Sequence, residues 1–194
     1  MALPVHSDAL AAAQVGAGWA FERIYDALAG PVAGYLRSQG VADPDGDTHD
    51  VFIGVFKRLS QFEGGPDQLR SWVFTIAHNR IIDGRRFASR RPAERLVDIC
   101  PETPTADCAD AAMDALADDQ LRRQLDLLSP DQRDVLLLRF VADLSLEEAA
   151  ATTGRTVGAV KALQHRALAS VRRSLSEILP EAVSRGTDHT LTEV

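Results

Sequence analysis

Cysteine is scarce in this chain, and its placement excludes more than it suggests. The 194 residues include two cysteines, Cys100 and Cys108, eight apart in a stretch rich in proline, threonine and aspartate. That spacing matches no standard zinc pattern, and a reducing cytosol is the simplest setting for such thiols. Long apolar runs are also missing. None approaches the roughly 18 residues that a membrane span requires, so no membrane insertion is expected. The opening "MALPVHSDALAAAQ" has no basic segment ahead of its apolar part, so no signal peptide is read there. No stretch shows the strict apolar–polar alternation of a half-buried strand.

Catalytic signatures are lacking as well. There is no glycine-rich phosphate loop, no His-Glu-x-x-His and no nucleophile elbow. The five histidines, His6, His49, His78, His165 and His189, are scattered along the chain. The expectation is a protein that is not an enzyme, with no metal site and no cofactor.

What is present is helix and unevenly placed charge. The formal net charge is −7, but it is concentrated in two segments. Residues 1–92 hold ten Lys/Arg against ten Asp/Glu, and residues 116–180 hold nine against nine. The acidity lies in 93–115, with one against six, and in the tail from 181, with one against three. Two neutral blocks can each carry a local basic face, so the global sign does not argue against an anionic partner. The segment "RPAERLVDICPETPTADCADAAMD" lacks any sustained period and reads as a linker between modules. The fold class expected is all-α: two small helical domains, 1–92 and 116–180, joined by a flexible acidic linker at 93–115, with a disordered tail at 181–194.

In the first block, Ser7 is a plausible cap for a helix ending at Gly16/Gly18. A second helix over "WAFERIYDALAG" is restarted or kinked by Pro31 and closed by Gly40. Asp47 or Thr48 can cap "DVFIGVFKRLSQF", and another helix runs from about Leu69 through Arg86. In the second block, "SPDQ" and "SLEE" are capping boxes opened by Ser129 and Ser145. Gly154 ends a short helix, Thr156 caps the next, and Pro180 stops it. A short helix, a glycine turn and a longer helix describe a helix-turn-helix.

Two stretches carry the functional signal. "NRIIDGRRFASRRP" places Arg80, Arg85, Arg86, Arg90 and Arg91 within twelve residues, offset only by Asp83. Phe62, Trp72 and Phe74 lie upstream, as stacking on single-stranded bases would need, although packing is the commoner role of such rings. On the last long helix, Lys161, Ala162, His165, Arg166, Ala169, Arg172 and Arg173 share an arc without an acid, opposite Val160, Ala167, Val171, Leu175 and Ile178. Cations interspersed with small alanines suit a helix entering a DNA groove.

Together the two blocks resemble bacterial RNA polymerase sigma factors of the extracytoplasmic-function group. "FKRLSQFEGGPDQLRSWVFTIAHNRIIDGRR" looks like the end of region 2.2 through region 2.4, and "LSPDQRDVLLLRFVADLSLEEAAATTGRTVGAVKALQHRAL" is similar to region 4. The resemblance implies a promoter-specificity subunit. Phe62, Trp72 and Asn79 would capture the melted −10 element, and Arg80, Arg85, Arg86, Arg90 and Arg91 would hold its backbone. Thr156, Lys161, Ala162, His165, Arg166 and Arg172 would read the duplex −35 element. Asp50, Phe52, Val55, Phe56 and Leu59 would dock on core polymerase. The implied partners are core RNA polymerase, through its β′ clamp helices and β flap, promoter DNA, and an anti-sigma factor.

Two departures from the family pattern stand out. "GDTHD" replaces the usual acidic-glutamine run before Val51, with His49 and Asp50 in its last two places. Leu163 and Leu168 stand where arginines are common, which predicts fewer phosphate contacts. A free-standing helix-turn-helix regulator is the competing reading.

Overall fold

The structure is a computed structural model, and it describes residues 7–90 and 121–185. Cys100, Cys108, Arg91 and the 93–115 linker lie outside the described residues. Every regular element among those described is helical: α1 (Ser7–Gln14), α2 (Gly18–Ser38), α3 (Pro44–Arg58), α4 (Pro66–Arg90), α5 (Pro130–Phe140), α6 (Leu146–Thr153) and α7 (Val157–Arg185). A single 3-10 turn, Leu59–Gln61, follows α3, and residues 121–126 are helical ahead of α5.

In the first block α2, α3 and α4 pack around Ile24, Val32, Tyr35, Leu36, Val55, Leu59, Val73 and Phe74, all fully buried. Aromatic rings bridge α2 and α3: Phe21 meets Phe56 at 4.7 Å between centroids, and Tyr25 meets Phe52 edge-on at 4.8 Å. Pro31 neither stops nor restarts α2, which runs unbroken through it. Ile24 and Leu28 before it and Val32 and Leu36 after it face the same core, and that burial outweighs the lost backbone hydrogen bond.

Three element ends differ from the sequence expectation. Asp43, not Asp47 or Thr48, caps α3, its carboxylate accepting from the Gly46 amide at 2.9 Å with Pro44 in the first turn. Proline preset for a helix start gives the earlier entry its advantage. The same device moves the start of α4 to Pro66, where the Gln68 side chain accepts from the Gly65 amide at 3.0 Å. Finally, α7 continues through Pro180 to Arg185, taking in the first residues assigned to the tail.

The second block is built as its punctuation specifies. Both capping boxes are formed, and Gly154 ends α6 in the left-handed conformation with φ 64°. Thr156 Oγ1 accepts from the Ala159 amide at 3.2 Å and opens α7. The two blocks do not stand apart. One continuous hydrophobic core includes Tyr35 and Phe74 of the first and Leu138, Leu144 and Val160 of the second.

Candidate nucleic-acid interface

The face of α7 expected to enter a groove is open. Lys161, Ala162, His165, Arg166, Ala169, Arg172 and Arg173 are all exposed, while Val160, Leu163 and Ala167 on the other side are buried. Among the described residues Lys161, His165 and Arg172 make no ion pair. Thr156 is exposed at the helix start, where its hydroxyl is occupied with capping. Leu163 is 8 % exposed. An arginine there would bury its guanidinium in the core of the block, which explains the departure noted in the sequence. Leu168, 37 % exposed, has no such constraint.

On α4 the sequence-predicted arginines separate into different environments. Arg80 lies across α3, with its guanidinium on Asp47 at 2.5 Å and on Asp50 at 2.5 Å. Burial pulls its pKa down, but the hydrogen bonds and charges of Asp47 and Asp50 outweigh that and leave it raised. Asp50 is therefore engaged with Arg80 as well as lying on the face expected to dock polymerase. Arg86 is exposed and 3.5 Å from Asp83, one helical turn back. Arg85 reaches the second block, where it donates to both carboxylate oxygens of Asp134 at 3.2 Å and to Gln39 Oε1 at 2.7 Å. The backbone of Arg90 closes α4.

Asn79 is exposed, and Phe87 is 62 % exposed one face further along α4. An open groove of about 600 Å³ between α3 and α4 is lined by Asp50, Gly54, Asn79, Arg80 and Phe87 among others. At the other end of α4, Phe62 and Trp72 are half-buried and lie against each other at 4.8 Å, tilted by 34°. The loop holding Phe62 is tied down by the Gln14 side chain, which donates to its carbonyl at 2.7 Å. A Cβ on Gly64 would meet the Phe62 ring, so a side chain there would have to push the ring away from the loop.

Of the five residues expected to dock polymerase, Asp50 alone is exposed. Phe52, Val55 and Leu59 are at most 2 % exposed and belong to the core of the first block, and Phe56 is half-buried among the rings. An apolar stripe on α3 is needed to hold α2 and α4, so it is not free for another protein. The neighbours that do face outward are His49, Asp50, Ile53, Lys57 and Arg58, with Ile53 40 % exposed.

Behind Asn79 the α4 interior is polar. His78, 5 % exposed, accepts or donates at Nδ1 with the Tyr35 hydroxyl at 3.0 Å. Burial lowers the His78 pKa, with Asp134 opposing and Arg85 and Arg155 adding to the shift. Burial and the nearby Asp134 raise that of Tyr35 far above the ordinary phenol range. The Gln39–Asp134–Arg85 group joins residues up to 95 positions apart. No local sequence signal reports such a contact, and the sequence reading missed Gln39, Asp134 and the bond from Arg70 Nε to the Ala142 carbonyl.

Two family models match the chain: Sigma-70 region 2 over residues 21–91, and Sigma-70 region 4 over residues 118–171. Among curated proteins, the ECF RNA polymerase sigma factor BldN of Streptomyces coelicolor is 29% identical over 174 residues, covering 87% of this chain and 64% of that protein. The ECF RNA polymerase sigma factor RpoE of Cereibacter sphaeroides is 30% identical over 159 residues, covering 81% of this chain and 87% of that one. The chain thus spans somewhat under two thirds of BldN but most of RpoE. Among solved structures, CnrH in complex with the cytosolic domain of CnrY aligns with a TM-score of 0.67 and 26% identity, covering 89% of this chain and 98% of CnrH.

Proposed function

The chain belongs to the sigma-70 family of RNA polymerase sigma factors, in its extracytoplasmic-function group, and on that premise we propose that it directs promoter-specific initiation by core RNA polymerase. The bond-making chemistry falls to the polymerase, and this chain supplies recognition. The observation that carries the reading is the exposed, acid-free arc of α7 from Lys161 to Arg172, mounted on a doubly capped helix-turn-helix. Such an arc suits a −35 duplex, with Lys161, Ala162, His165 and Arg166 toward base edges and Arg172 toward phosphate.

The −10 role falls on the exposed edge of α4. Asn79 is positioned to meet a displaced base, with Arg86 on the same edge for the strand backbone. Phe62 and Trp72 pack against each other and are half-buried, so their proposed part is to shape the capture loop. Arg80 is committed to Asp47 and Asp50, and a phosphate would have to compete with both. For core polymerase the outward side of α3, from Asp50 through Ile53 to Lys57, is the proposed docking face. Phe52, Val55, Phe56 and Leu59 support it from beneath. An anti-sigma partner is proposed on the likeness to CnrH, a protein solved together with the cytosolic domain of CnrY. Among the described residues no helix is long and apolar enough to cross a membrane, and DNA reading places the protein's work in the cytoplasm.

A pull-down of tagged protein with bacterial core polymerase, followed by run-off transcription from genomic fragments, tests the proposal. Core binding and discrete start sites are expected. A protein that ignores core polymerase but shifts duplex DNA alone would instead be a free-standing regulator.

A further inference from the structure

Helix α1 lies outside the residues that match Sigma-70 region 2, which begin at position 21. Its 8 residues make too short a helix to stand alone. Ala9, Leu10 and Ala13 hold it by burial, and it packs on α2 and on the Leu59–Gln61 turn. Its C-terminus is fixed as well. The Gly16 amide, at φ 89°, donates to the Ala13 carbonyl at 3.0 Å, and the Ala17 amide donates to that of Ala12 at 3.0 Å. These paired bonds close a helix on a left-handed glycine. Gln14, the last residue of α1, is thereby set beside the chain that leaves α3.

That chain takes its donor from Gln14. The Phe62 amide closes the Leu59–Gln61 turn on the Leu59 carbonyl at 3.1 Å, and Phe62 then turns extended, with φ −75° and ψ 119°. Its carbonyl has left the helical ladder. Gln14 Nε2 donates to it at 2.7 Å, from 48 positions away. At the other end of the loop the Gly65 amide donates to Gln68 Oε1 at 3.0 Å. We propose that Gln14 is a positioning residue for −10 base capture: through the Phe62 carbonyl it fixes the loop 62–65 relative to Asn79, and α1 is the brace that carries it.

The backbone of Phe62 decides where its ring lies, and that ring covers Gly64 and packs on Trp72 at 4.8 Å. Releasing the carbonyl would therefore release the whole loop. A half-buried carbonyl without a donor also favours other loop conformations, in which water reaches it. What the position needs is a donor of this reach. Methionine matches glutamine in length but cannot donate, and lysine restores a donor. An uncharged amide adds nothing to phosphate attraction. The effect of Gln14 thus falls on which base is accepted, not on how tightly the DNA backbone is held.

The role in base capture rests on the sigma-factor reading, and two measurements separate them. In the free full-length protein, amide hydrogen exchange over residues 62–65 should be several-fold faster in Gln14→Met than in the native chain. It should return close to native in Gln14→Lys, with the cores of α2 and α4 unchanged throughout. Equal exchange in Gln14→Met, or faster exchange across the whole block, overturns the brace whatever the protein does. With core polymerase, run-off transcription is then scored on a promoter changed base by base through its −10 element. Gln14→Met should lower discrimination several-fold at one position, leave the other positions and core retention unchanged, and be rescued by Gln14→Lys. Because discrimination is a ratio between promoters, the charge that lysine adds cancels. A loss spread equally over all positions, no loss, or no rescue would leave Gln14 a packing residue of α1 and sink the proposal. A native chain that directs no transcription overturns the sigma-factor reading itself, and the role in base capture with it.

Discussion

Asn79 and His78 are neighbours on α4 with opposite surroundings, one exposed and one buried against Tyr35. Asn79→Ala should leave core-polymerase binding intact and damage −10 recognition by about 1–3 kcal/mol, the worth of a lost base-edge contact. Core retention and start-site selection on promoters with altered −10 bases would check it. His78 makes a different prediction. Its pKa is depressed in the fold relative to the usual 6.5, so the unfolded chain binds the proton first as pH falls. The stability His78 contributes is therefore fully present above about pH 6.5 and is lost as pH drops toward the depressed value. Tyr35, Asp134, Arg85 and Arg155 all bear on this site. His78→Gln keeps a hydrogen-bonding partner for Tyr35 and should flatten the acid-side fall in urea midpoint. An unchanged fall would place its origin elsewhere.

At the scale of the element, punctuation was the most legible part of the sequence. Serine with Gln or Glu three residues on specified both capping boxes, because a cap satisfies backbone amides within one turn and depends on nothing distant. Gly154 follows the same logic, with its φ of 64° and open space where a Cβ would sit. Gly154→Ala should therefore cost about 1–2 kcal/mol through backbone strain alone, read as a lowered midpoint in thermal unfolding, with Gly154→Asn milder. Misjudged ends arose where proline preceded the expected start, as at Pro44 and Pro66. Pro31 and Pro180 erred the other way, since each was read as a breaker and each lies inside a helix. For Pro31 the continuation is bought by the core on both sides of it, which a one-dimensional pattern does not weigh.

For the whole molecule the neutral balance of each block matters more than the total of −7. With Leu163 in the core and Leu168 uncharged, α7 offers Lys161, Arg166, Arg172 and Arg173 as its cationic contacts. The logarithm of −35 affinity should fall with the logarithm of salt concentration by about 0.9 per phosphate neutralised, giving a slope of about −4 or shallower. Fluorescence anisotropy of the holoenzyme on a −35 duplex across a salt series would measure it. A markedly steeper slope would mean that other cations, Arg122 or Arg123 among them, also reach the backbone.

The sequence alone determined that this is a helical protein, where the turns of its helix-turn-helix fall, and which side of α7 carries cations. Those properties follow from local capping, glycine conformation and a 3.6-residue period, all encoded within a few positions. It could not decide which apolar residues on α3 were free for a partner, because Phe52, Val55 and Leu59 look the same whether they face a core or a polymerase. Nor could it assign the arginines of α4. Arg80 went to Asp47 and Asp50 and Arg85 to Asp134, pairings set by how helices cross and by which block packs on which. Only the tertiary structure brings residues 49 positions apart within hydrogen-bond distance, and there the same guanidinium that could hold a phosphate holds a carboxylate instead.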